Sequence, residues 1–403
     1  MKLLLVNTSA NSGSTGRIAE EIGQSAMNNG YDCYFAYGRI HRESMTELIK
    51  IGNDFDFKIH VIESRLLDNH GFASKSATKK LISNIKRINP DIINLHNIHG
   101  YYLNIQILFD YLERARIPVV WTLHDCWAFT GHCSYFDRYS CFKWETECNN
   151  CPNKKGYPTS ILLDRSKTNY YRKKDLFNKP ERITFITPSY WLEGHVNRSF
   201  LNKYPVITIH NGVDLEVFKP IGNSEIKKKI GISENKKMIL GVASTWDRRK
   251  GLDDFIELSK KFDDNYQIIL VGLNDKQITA LPKNIIGIKR TENIQQLAEL
   301  YSIADVFVNP TYVDNFPTTN IEALACGTPV ITYKTGGSPE AIDEKTGMVV
   351  EQGDIPQLIE SIKTIANNKE QYTEACRIRA MKYFNKNERF NDYVELFNRL
   401  TNK

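Results

Sequence analysis

Residues 306–333 read VFVNPTYVDNFPTTNIEALACGTPVITY, and the prediction of the fold rests on this stretch. Two apolar runs, Val306–Pro310 and Pro329–Tyr333, have the length and composition of strands buried on both faces of a parallel sheet. Between them, Thr319–Cys326 has a helical pattern and is followed by a Gly-Thr-Pro turn. The stretch therefore predicts a strand–helix–strand unit, from which sheets of parallel strands covered by helices are built.

The same alternation continues in both directions along the chain. Twelve candidate strands lie between Lys2 and Glu351, with helical patterns between many of them. Twelve strands are too many for one comfortable sheet, so we predict an α/β protein with two doubly wound, Rossmann-like domains. A length of 403 residues suits two or three domains.

We place the division near residues 190–205, where one series of strands ends and the next begins. The predicted domains are residues 1–195 and 196–380. Residues 381–403 are expected to form a C-terminal helix that crosses back onto the first domain.

The composition is that of an ordinary globular protein, with 41% apolar and 25% charged residues, which excludes a long disordered chain. The apolar run Met1–Val6 is too short for the core of a signal peptide. No stretch approaches the roughly 18 apolar residues of a spanning helix. We therefore expect a soluble, cytoplasmic protein whose membrane contact is at most peripheral.

The net charge is +6, and residues 153–182 contain nine basic and three acidic side chains. Such a patch could meet an anionic membrane or an anionic acceptor. A solvated helix face is the alternative. Nucleic-acid binding is poorly supported, because the basic residues lack interleaved aromatic residues.

Two carboxylates, Asp314 and Glu322, lie eight positions apart in the stretch quoted above. Asp314 lies in the loop after the first strand, and Glu322 lies on the first turns of the helix. Pro317 suits an early helical position, because its missing N–H costs nothing there. The helix start would direct backbone N–H groups towards whatever lies beside Asn315 and Phe316. This pattern favours a phosphorylated, polyhydroxyl ligand; a capping Asp with a surface Glu is the alternative.

Three adjacent cations, Arg248, Arg249 and Lys250, follow another predicted strand and precede a helix. Their charge suits a diphosphate, although a solvated charge run has the same appearance. Asn211 belongs to a tight turn, His210–Asp214, where the backbone must approach another group closely.

Two candidate sites lie in the first half of the chain. Gly13 and Gly16 belong to a loop that opens a helix after the first strand, where glycines let an anion approach the backbone N–H groups. A plain tight turn is the alternative. His124 ends an apolar strand and could hydrogen-bond a substrate hydroxyl from there, or serve only the structure.

Taken together, these segments resemble the retaining glycosyltransferases of family 4, which have the GT-B fold. The resemblance covers essentially the whole chain, and Asp314–Val330 is its most specific part. The residues around Trp121–Gly131 resemble a subgroup associated with bacterial surface-polysaccharide synthesis. The other segments that carry it are Asn211–Asp214, Lys250-Gly251, Gly336-Gly337 and Thr122–Asp125.

The resemblance implies donor-binding roles in the second half. Glu322 would bind the ribose hydroxyls, and Asp314 would take the place of the first acid of the Glu-x7-Glu motif near the sugar. Backbone at Asn315 and Phe316 would hold the sugar hydroxyls. Asp is one methylene shorter than the usual Glu, which is the first departure from the family pattern.

The resemblance also implies how the diphosphate and the acceptor are held. Lys250, with Arg248 or Arg249, would neutralise the diphosphate; the arginine that many members carry five residues before the lysine is Thr245 here. His124 would contact the sugar opposite the leaving group. The segment from Gly13 to Gly16 would border the acceptor and the phosphates.

The implied activity is retaining transfer of a sugar from a nucleotide diphosphate sugar to a saccharide or lipid-linked acceptor. It implies no catalytic divalent metal, and the leaving phosphate takes the acceptor's proton. The first domain would hold the acceptor and the second the donor, at the inner face of the cytoplasmic membrane. Alternatives are a sugar-nucleotide epimerase, for which we do not find the expected carboxylates and histidines in the first domain, and a non-catalytic binding module.

Five cysteines crowd into residues 126–151, which we predict to be an insertion in the first domain. The spacing C-x7-C-x6-C-x2-C could enclose a structural zinc ion. Reduced thiols and disulfides are the alternatives, although disulfides are uncommon in the cytosol. The candidate ligands are Cys133, Cys141, Cys148 and Cys151.

Overall fold

The computed structural model describes residues 1–222 and 225–401. Two compact units are formed: Met1–Ile209 with the segment from Phe390 onward, and His210–Arg389. Each unit contains one parallel sheet, which agrees with the predicted α/β class.

Within the described ranges, the first sheet has seven parallel strands: β1 (Lys2–Asn7), β2 (Asp32–Tyr37), β3 (Glu47–Lys50), β4 (Ile92–Leu95), β5 (Val119–Thr122), β6 (Ile183–Thr187) and β7 (Val206–Thr208). Their order is β3-β2-β1-β4-β5-β6-β7. The order reverses between β1 and β4, and open α/β sheets bind ligands beyond the carboxyl ends of their strands at such a switch point. The helices of this part are α1 (Gly13–Asn28), α2 (Asp54–Leu67), α3 (Lys75–Ile88), α4 (Ile105–Ala115), α5 (Ser166–Phe177) and α6 (Tyr190–Arg198).

The second sheet, counted over the same residues, has six parallel strands: β8 (Lys237–Val242), β9 (Tyr266–Val271), β10 (Ile285–Ile288), β11 (Val306–Asn309), β12 (Val330–Tyr333) and β13 (Gly347–Val350). Their order is β10-β9-β8-β11-β12-β13, so the switch point lies between β8 and β11.

The second half of the chain contributes eight helices in the described part: α7 (Ile226–Lys229), α8 (Leu252–Ser259), α9 (Asp275–Ala280), α10 (Ile294–Ile303), α11 (Thr318–Ala325), α12 (Ile355–Asn367), α13 (Lys369–Tyr383) and α14 (Lys386–Thr401). Across the residues that the structure describes, no helix is both long and apolar enough to cross a membrane.

The strands of the first sheet are apolar on both faces because helices cover both. Leu4 and Val6 of β1 belong to one core, together with residues of α3 and α4. Leu3 and Leu5 belong to the opposite core, which α1 and α14 help to form. This double burial is why the strand is a continuous apolar run.

The structure places the limit of the first unit later than the sequence analysis did. Val206 of β7 pairs with Phe185 of β6, so this strand lies in the first sheet and not in the second. Helix α6 is the crossover that returns the chain to the same sheet, and the unit ends only after that crossover is complete. The predicted division after residue 195 falls inside α6.

The C-terminal helix α14 begins at Lys386, and from Phe390 onward the chain belongs to the first unit. Tyr393 and Phe397 are buried against the core that contains Leu3 and Leu5. The helix therefore starts later than residue 381, and its apolar face covers one side of the first sheet.

Candidate active site

The lysine and the first carboxylate predicted from the sequence meet at the switch point of the second sheet. Lys250 follows β8 and Asp314 follows β11, the neighbouring strand. The Nζ atom of Lys250 donates a hydrogen bond to Oδ2 of Asp314. Both side chains are 19% exposed, so the pair is shielded yet reachable. The structure thus forms a lysine–carboxylate pair where α/β sheets bind ligands.

Tight loop packing holds Lys250 in place. The side chain of Asp247 accepts a hydrogen bond from the Lys250 backbone N–H at 3.2 Å. Gly251 has φ +74°, and a Cβ there would lie 2.3 Å from the carbonyl oxygen of Pro310. The N–H of Tyr312 donates to the carbonyl of Arg249 at 2.8 Å. Only glycine allows this approach, which binds the loop after β8 to the loop after β11.

The two arginines beside Lys250 differ in their surroundings. The side chain of Arg248 is 89% exposed, with its Nε 3.8 Å from Asp253. That of Arg249 is 31% exposed, with its Nε 3.8 Å from Asp247. Arg249 is therefore the more confined of the two, and its carbonyl also receives the hydrogen bond from the loop after β11.

The start of α11 is built from backbone contacts that the sequence could not specify. Pro317 is the N-cap residue and precedes the first helical residue, Thr318, so it lies just before the helix and not at an early helical position as predicted. The carbonyl of Phe316 accepts from Nδ2 of Asn211 at 3.2 Å. The carbonyl of Asn315 accepts from the N–H of Gly337 at 2.9 Å. These two hydrogen bonds fix the loop that leads into α11.

The second glycine turn packs directly against the predicted donor loop. Gly336 has φ +51°, and a Cβ on it would lie 1.8 Å from the carbonyl oxygen of Asp314. Nearby, Nε2 of His210 lies 3.1 Å from Oε2 of Glu340, and its ring packs against Phe316 with centroids 4.8 Å apart. The turns predicted around Asn211 and Gly336 thus both contact the segment from Asp314 to Phe316.

Glu322 lies on α11 and is oriented by a tyrosine that the sequence analysis missed. The hydroxyl of Tyr301 donates to Oε2 of Glu322 at 3.0 Å. Burial of Tyr301, with the nearby Glu322 charge, raises the pKa of Tyr301 well above its ordinary value. Tyr301 therefore remains a neutral hydrogen-bond donor at neutral pH and orients the carboxylate of Glu322.

In the first unit, Gly13 and Gly16 lie inside the first turn of α1, not in a loop before it. The N-cap is Ser12, whose side chain makes no capping hydrogen bond. The turn lies at the carboxyl end of β1, beside the switch point of this sheet.

His124 follows β5 and stacks on His96, which follows β4, with ring centroids 5.2 Å apart. Nδ1 of His96 lies 2.9 Å from Nε2 of His124, and Nε2 of His96 lies 2.9 Å from Oδ1 of Asn94. The amide oxygen of Asn94 can only accept, so His96 donates from Nε2 and accepts at Nδ1. His124 therefore donates from Nε2 and keeps an acceptor lone pair on Nδ1.

A second pair of side chains lies beside this one. Nε2 of His99 lies 2.9 Å from Oδ2 of Asp125, and Nδ1 of His99 lies 3.2 Å from the hydroxyl of Tyr157. Burial alone would raise the pKa of Asp125, but His99 and the Trp127 N–H outweigh it and lower that pKa. Asp125 is therefore a carboxylate that orients the imidazole of His99.

Sequence reasoning missed His70, His96 and His99. His96 and His99 follow β4 as His124 and Asp125 follow β5, so the rule applied to His124 could have found them. His70 gives no such signal, because it lies in the turn after α2. Its ring lies beside that of His99, with centroids 6.0 Å apart. The sequence analysis looked for several carboxylates and histidines in the first unit; the structure brings together His96, His99 and His124 with one carboxylate, Asp125, so that set is present only in part.

Acid should weaken the first unit, because burial lowers the pKa of His60 to about 3 and of His124 to about 4. Below pH 6.5 these histidines are protonated in the unfolded chain but remain neutral in the folded protein, so protons favour unfolding. The free energy of unfolding is therefore expected to fall by about 2 kcal/mol per histidine between pH 7.5 and pH 5. Burial lowers the pKa of His70 and His96 too, and the raised pKa of His132 opposes them in part.

Urea unfolding followed at several pH values measures this effect. The His60→Gln variant should show a shallower pH dependence, and His41→Gln, at an exposed position, should show that of the unchanged protein. Constant stability down to pH 5 would contradict the assignment.

The four cysteines predicted as zinc ligands line one small cavity of about 10 Å³. All eight cysteines are free thiols. Over residues 1–222 and 225–401, no group of three or more His, Cys, Asp or Glu side chains is arranged to hold a metal ion. Cys148 Sγ instead accepts from the Gly131 N–H at 3.2 Å, and His132 turns towards Asp68, with Nδ1 2.6 Å from Oδ1. The arrangement does not support the predicted zinc site.

The predicted basic patch at 153–182 is largely occupied by contacts within the unit. Lys173 is buried, and its Nζ donates to the carbonyls of Trp127 and Thr130 at 2.8 and 3.1 Å. Burial lowers the pKa of Lys173 to about 7. Lys167 pairs with Glu147 and Lys179 with Asp110. Residues 153–182 therefore do not form a single anion site, and they are not a wholly solvated helix face either.

Two protein-family models match the chain. The model "Glycosyltransferase Family 4" matches residues 15–217, about half of the chain. The model "Glycosyl transferases group 1" matches residues 222–382.

Similar proteins are found among curated sequences and solved structures. The proposed colanic acid biosynthesis glycosyl transferase WcaC of Escherichia coli strain K12 is 25% identical over 386 residues, covering 90% of each chain. Sucrose-phosphate synthase from Thermosynechococcus elongatus superimposes with a TM-score of 0.76 at 17% identity, covering 99% of this chain and 98% of the other. Anabaena Alr3699/HepE in complex with UDP and glucose does so with a TM-score of 0.69 at 15% identity, covering 99% of this chain and 100% of the other.

Two Rossmann-like units, with polar and charged side chains gathered at the carboxyl ends of the central strands in each, have the architecture of the GT-B class of glycosyltransferases. The family models agree over both units. The chain belongs to glycosyltransferase family 4.

Proposed function

We propose that the protein transfers a sugar, with retention of anomeric configuration, from a nucleotide diphosphate sugar to a saccharide or lipid-linked acceptor of bacterial surface-polysaccharide synthesis. The observation that carries the proposal is the Lys250–Asp314 pair at the switch point of the second sheet. The likeness to WcaC supports the kind of pathway, and the UDP complex of Alr3699/HepE supports the kind of donor.

In the second unit, we propose that the cations Lys250 and Arg249 mark where the diphosphate of the donor binds. Lys250 neutralises the diphosphate as negative charge grows on the leaving group, and Arg249, the more confined arginine, assists it. Fixed cations aimed at developing charge are often the largest single catalytic contribution. Glu322, held by Tyr301, accepts hydrogen bonds from the ribose hydroxyls. Asp314 positions Lys250 and lies near the sugar.

In the first unit, the proposed role of His124 follows from its tautomer. Its Nδ1 lone pair can accept a hydrogen bond from a sugar hydroxyl, because its Nε2 proton is committed to His96. The first turn of α1, with Gly13 and Gly16, borders the acceptor and the phosphates. The leaving phosphate takes the acceptor's proton, so no side chain is assigned as general base and the scheme requires no divalent metal.

The proposed place of action is the inner face of the cytoplasmic membrane, where nucleotide sugars and lipid-linked acceptors meet. The peripheral membrane contact is part of this proposal. Lys155 of the predicted basic patch is exposed and could take part in it.

A sugar-nucleotide epimerase is the second candidate, and the cluster of His96, His99, His124 and Asp125 is the observation that favours it. Incubation with the donor alone distinguishes the two. An epimerase changes the sugar of the donor, whereas a transferase leaves its configuration unchanged and needs an acceptor.

Donor binding is expected to raise the apparent melting temperature. A nucleotide sugar present at about 100 times its dissociation constant stabilises the folded state by about 3 kcal/mol, which corresponds to several degrees. A thermal-shift screen of UDP-, GDP- and ADP-sugars measures this.

The Glu322→Ala variant should lose most of the shift given by the best donor, because the ribose contact is removed. The matched control is Glu360→Ala, at an exposed position on α12, which should keep the full shift. If no nucleotide sugar stabilises the unchanged protein, or if Glu322→Ala is stabilised as fully, the donor site is misplaced.

A further inference from the structure

A tyrosine that follows the cysteine-rich insertion reaches the histidines at the carboxyl end of the first sheet. The hydroxyl of Tyr157 lies 3.2 Å from Nδ1 of His99, although Tyr157 is still 42% exposed. The carbonyl of Tyr157 accepts from the N–H of Ser134 at 3.2 Å, and the carbonyl of Ser134 accepts from the N–H of Cys126 at 2.9 Å. The backbone of Tyr157 is therefore tied to the loop after β5, which also carries His124.

A chain of polar contacts orients the hydroxyl of Tyr157. The carboxylate of Asp125 can only accept, so the proton between the two groups belongs to Nε2 of His99, 2.9 Å away. In the neutral imidazole Nδ1 then accepts, and the hydroxyl of Tyr157 donates to it. Burial raises the pKa of Tyr157 well above its ordinary value, so the hydroxyl keeps this proton at neutral pH. Asp125 thus orients His99, and His99 orients Tyr157.

His70 adds unused hydrogen-bonding capacity to the same cluster. It is 3% exposed, and neither of its ring nitrogens has a hydrogen-bond partner among the described residues. Its ring packs against those of Tyr101, Trp127 and Tyr157, with centroids 4.8, 5.4 and 5.9 Å apart. Burial lowers the pKa of His70 well below its ordinary value, so the neutral ring offers one N–H donor and one lone pair. Buried polar atoms in this state cost stability and are expected chiefly at functional sites.

The chemistry of this cluster favours a saccharide as its ligand. Aromatic rings with a few fixed polar groups are typical of ligand sites, and a sugar presents C–H groups on its faces and hydroxyls at its edge. A hydroxyl both donates and accepts, as the neutral ring of His70 does. A metal ion suits the cluster less well, since over the described residues no three metal-binding side chains are arranged to hold one. The exposed part of Tyr157 is where a sugar could reach the cluster.

We propose that Tyr157 is a specificity-determining contact for the acceptor sugar and that His99 and Asp125 are its positioning residues. The ring of Tyr157 packs against a face of the sugar, and a sugar hydroxyl that enters beside it supplies the hydrogen bonds that His70 lacks. The inference rests on the proposed function and deepens it, because it assigns recognition of the acceptor to the segment that follows the cysteine-rich insertion.

Saturation-transfer NMR with the octyl glycosides of glucose, galactose, mannose and fucose, each below its micelle concentration, tests the proposal. The unchanged protein should bind at least one of them, and Tyr157→Ala should bind it at least about tenfold more weakly. Tyr157→Phe keeps the ring but loses the contact with His99, so its loss should be smaller, about threefold. The thermal shift given by the best donor should be the same in all three proteins, because the proposed donor site lies in the second unit.

A double-mutant cycle tests the positioning role of His99. His99→Gln can still donate to Asp125 but no longer accepts from Tyr157, so it should weaken glycoside binding about as Tyr157→Phe does. The two changes together should cost little more than either alone, because both remove the same contact. The matched control is Tyr139→Ala, since Tyr139 lies in the insertion and is 46% exposed. It should bind the glycoside as the unchanged protein does.

Equal glycoside binding by Tyr157→Ala and the unchanged protein would overturn the proposal, and so would the failure of all four glycosides to bind. Loss of the donor shift in Tyr157→Ala would overturn it too, because the change would then act through the fold. Additive losses in the double variant would refute the positioning role of His99.

The binding assay contains no donor, so its result is independent of the proposed activity. Glycoside binding without sugar transfer would leave the Tyr157 contact in place and refute the transferase proposal. Transfer to a glycoside whose KM is unchanged in Tyr157→Ala would do the reverse.

Discussion

The Lys250→Ala variant is expected to turn over its nucleotide sugar about 10² to 10³ times more slowly than the unchanged protein. The ammonium group of Lys250 is the fixed cation proposed to meet the leaving diphosphate, and it is held in place by Asp314. Removing it leaves the growing negative charge without its partner and leaves Asp314 as a repelling carboxylate. Release of nucleoside diphosphate from the donor found by thermal shift measures the effect.

The matched control is Lys289→Ala. Lys289 pairs with Asp275 at 2.7 Å in the same unit, but the two side chains are 63% and 77% exposed. Its removal should change turnover less than about twofold, because exposed ion pairs contribute little. The Lys250→Arg variant should regain part of the rate, since the charge returns with altered geometry. Turnover by Lys250→Ala within threefold of the unchanged protein would show that the diphosphate is held elsewhere.

The second large effect is expected on stability, from Asp68→Ala. Asp68 is buried and ends α2 in the left-handed conformation, with φ 51°. Its carboxylate contacts Nδ1 of His132 at 2.6 Å and accepts the N–H of Arg165 at 2.7 Å. Alanine would leave both groups buried without their partner, so we expect a loss of about 3 to 5 kcal/mol in the free energy of unfolding.

Urea unfolding followed by tryptophan fluorescence measures this loss, because four of the five tryptophans lie in the first unit. Asp175→Ala, at an exposed position on α5, is the control and should change stability by less than about 0.5 kcal/mol. The Asp68→Asn variant should fall between the two, because Asn also tolerates a positive φ. A loss below 1 kcal/mol for Asp68→Ala would mean that the cysteine-rich insertion is not fastened through this residue.

Sequence patterns predicted what depends on neighbouring residues. Local residue order indicates burial and backbone geometry. Examples are the apolar run at Val306–Pro310 and the turns around Gly251 and Gly336. For this reason the α/β class, the strand–helix–strand unit and the loop positions of Lys250 and Asp314 could be predicted from residue order alone.

Contacts between distant segments depended on the order of the strands. Nothing in the sequence near β8 states that β11 lies beside it, and that adjacency is what brings Lys250 onto Asp314. The adjacency of β4 and β5 likewise places His96 against His124. For the same reason the sequence analysis assigned β7 to the wrong sheet, since a short strand does not specify its partner.

Some features were decided by orientation alone. The apolar residues of α2 recur at helical spacing, but only the burial of His60 on the opposite side of the helix shows that they face solvent. Lys173 looks like part of a charged surface, yet α5 packs it beneath Trp127. The sequence by itself predicted twelve of the thirteen strands in the described part, all but β3, and where the loops of the site fall, because those depend on local residues. The tertiary structure decided which loops meet and which faces are covered, because burial is a property of the whole unit.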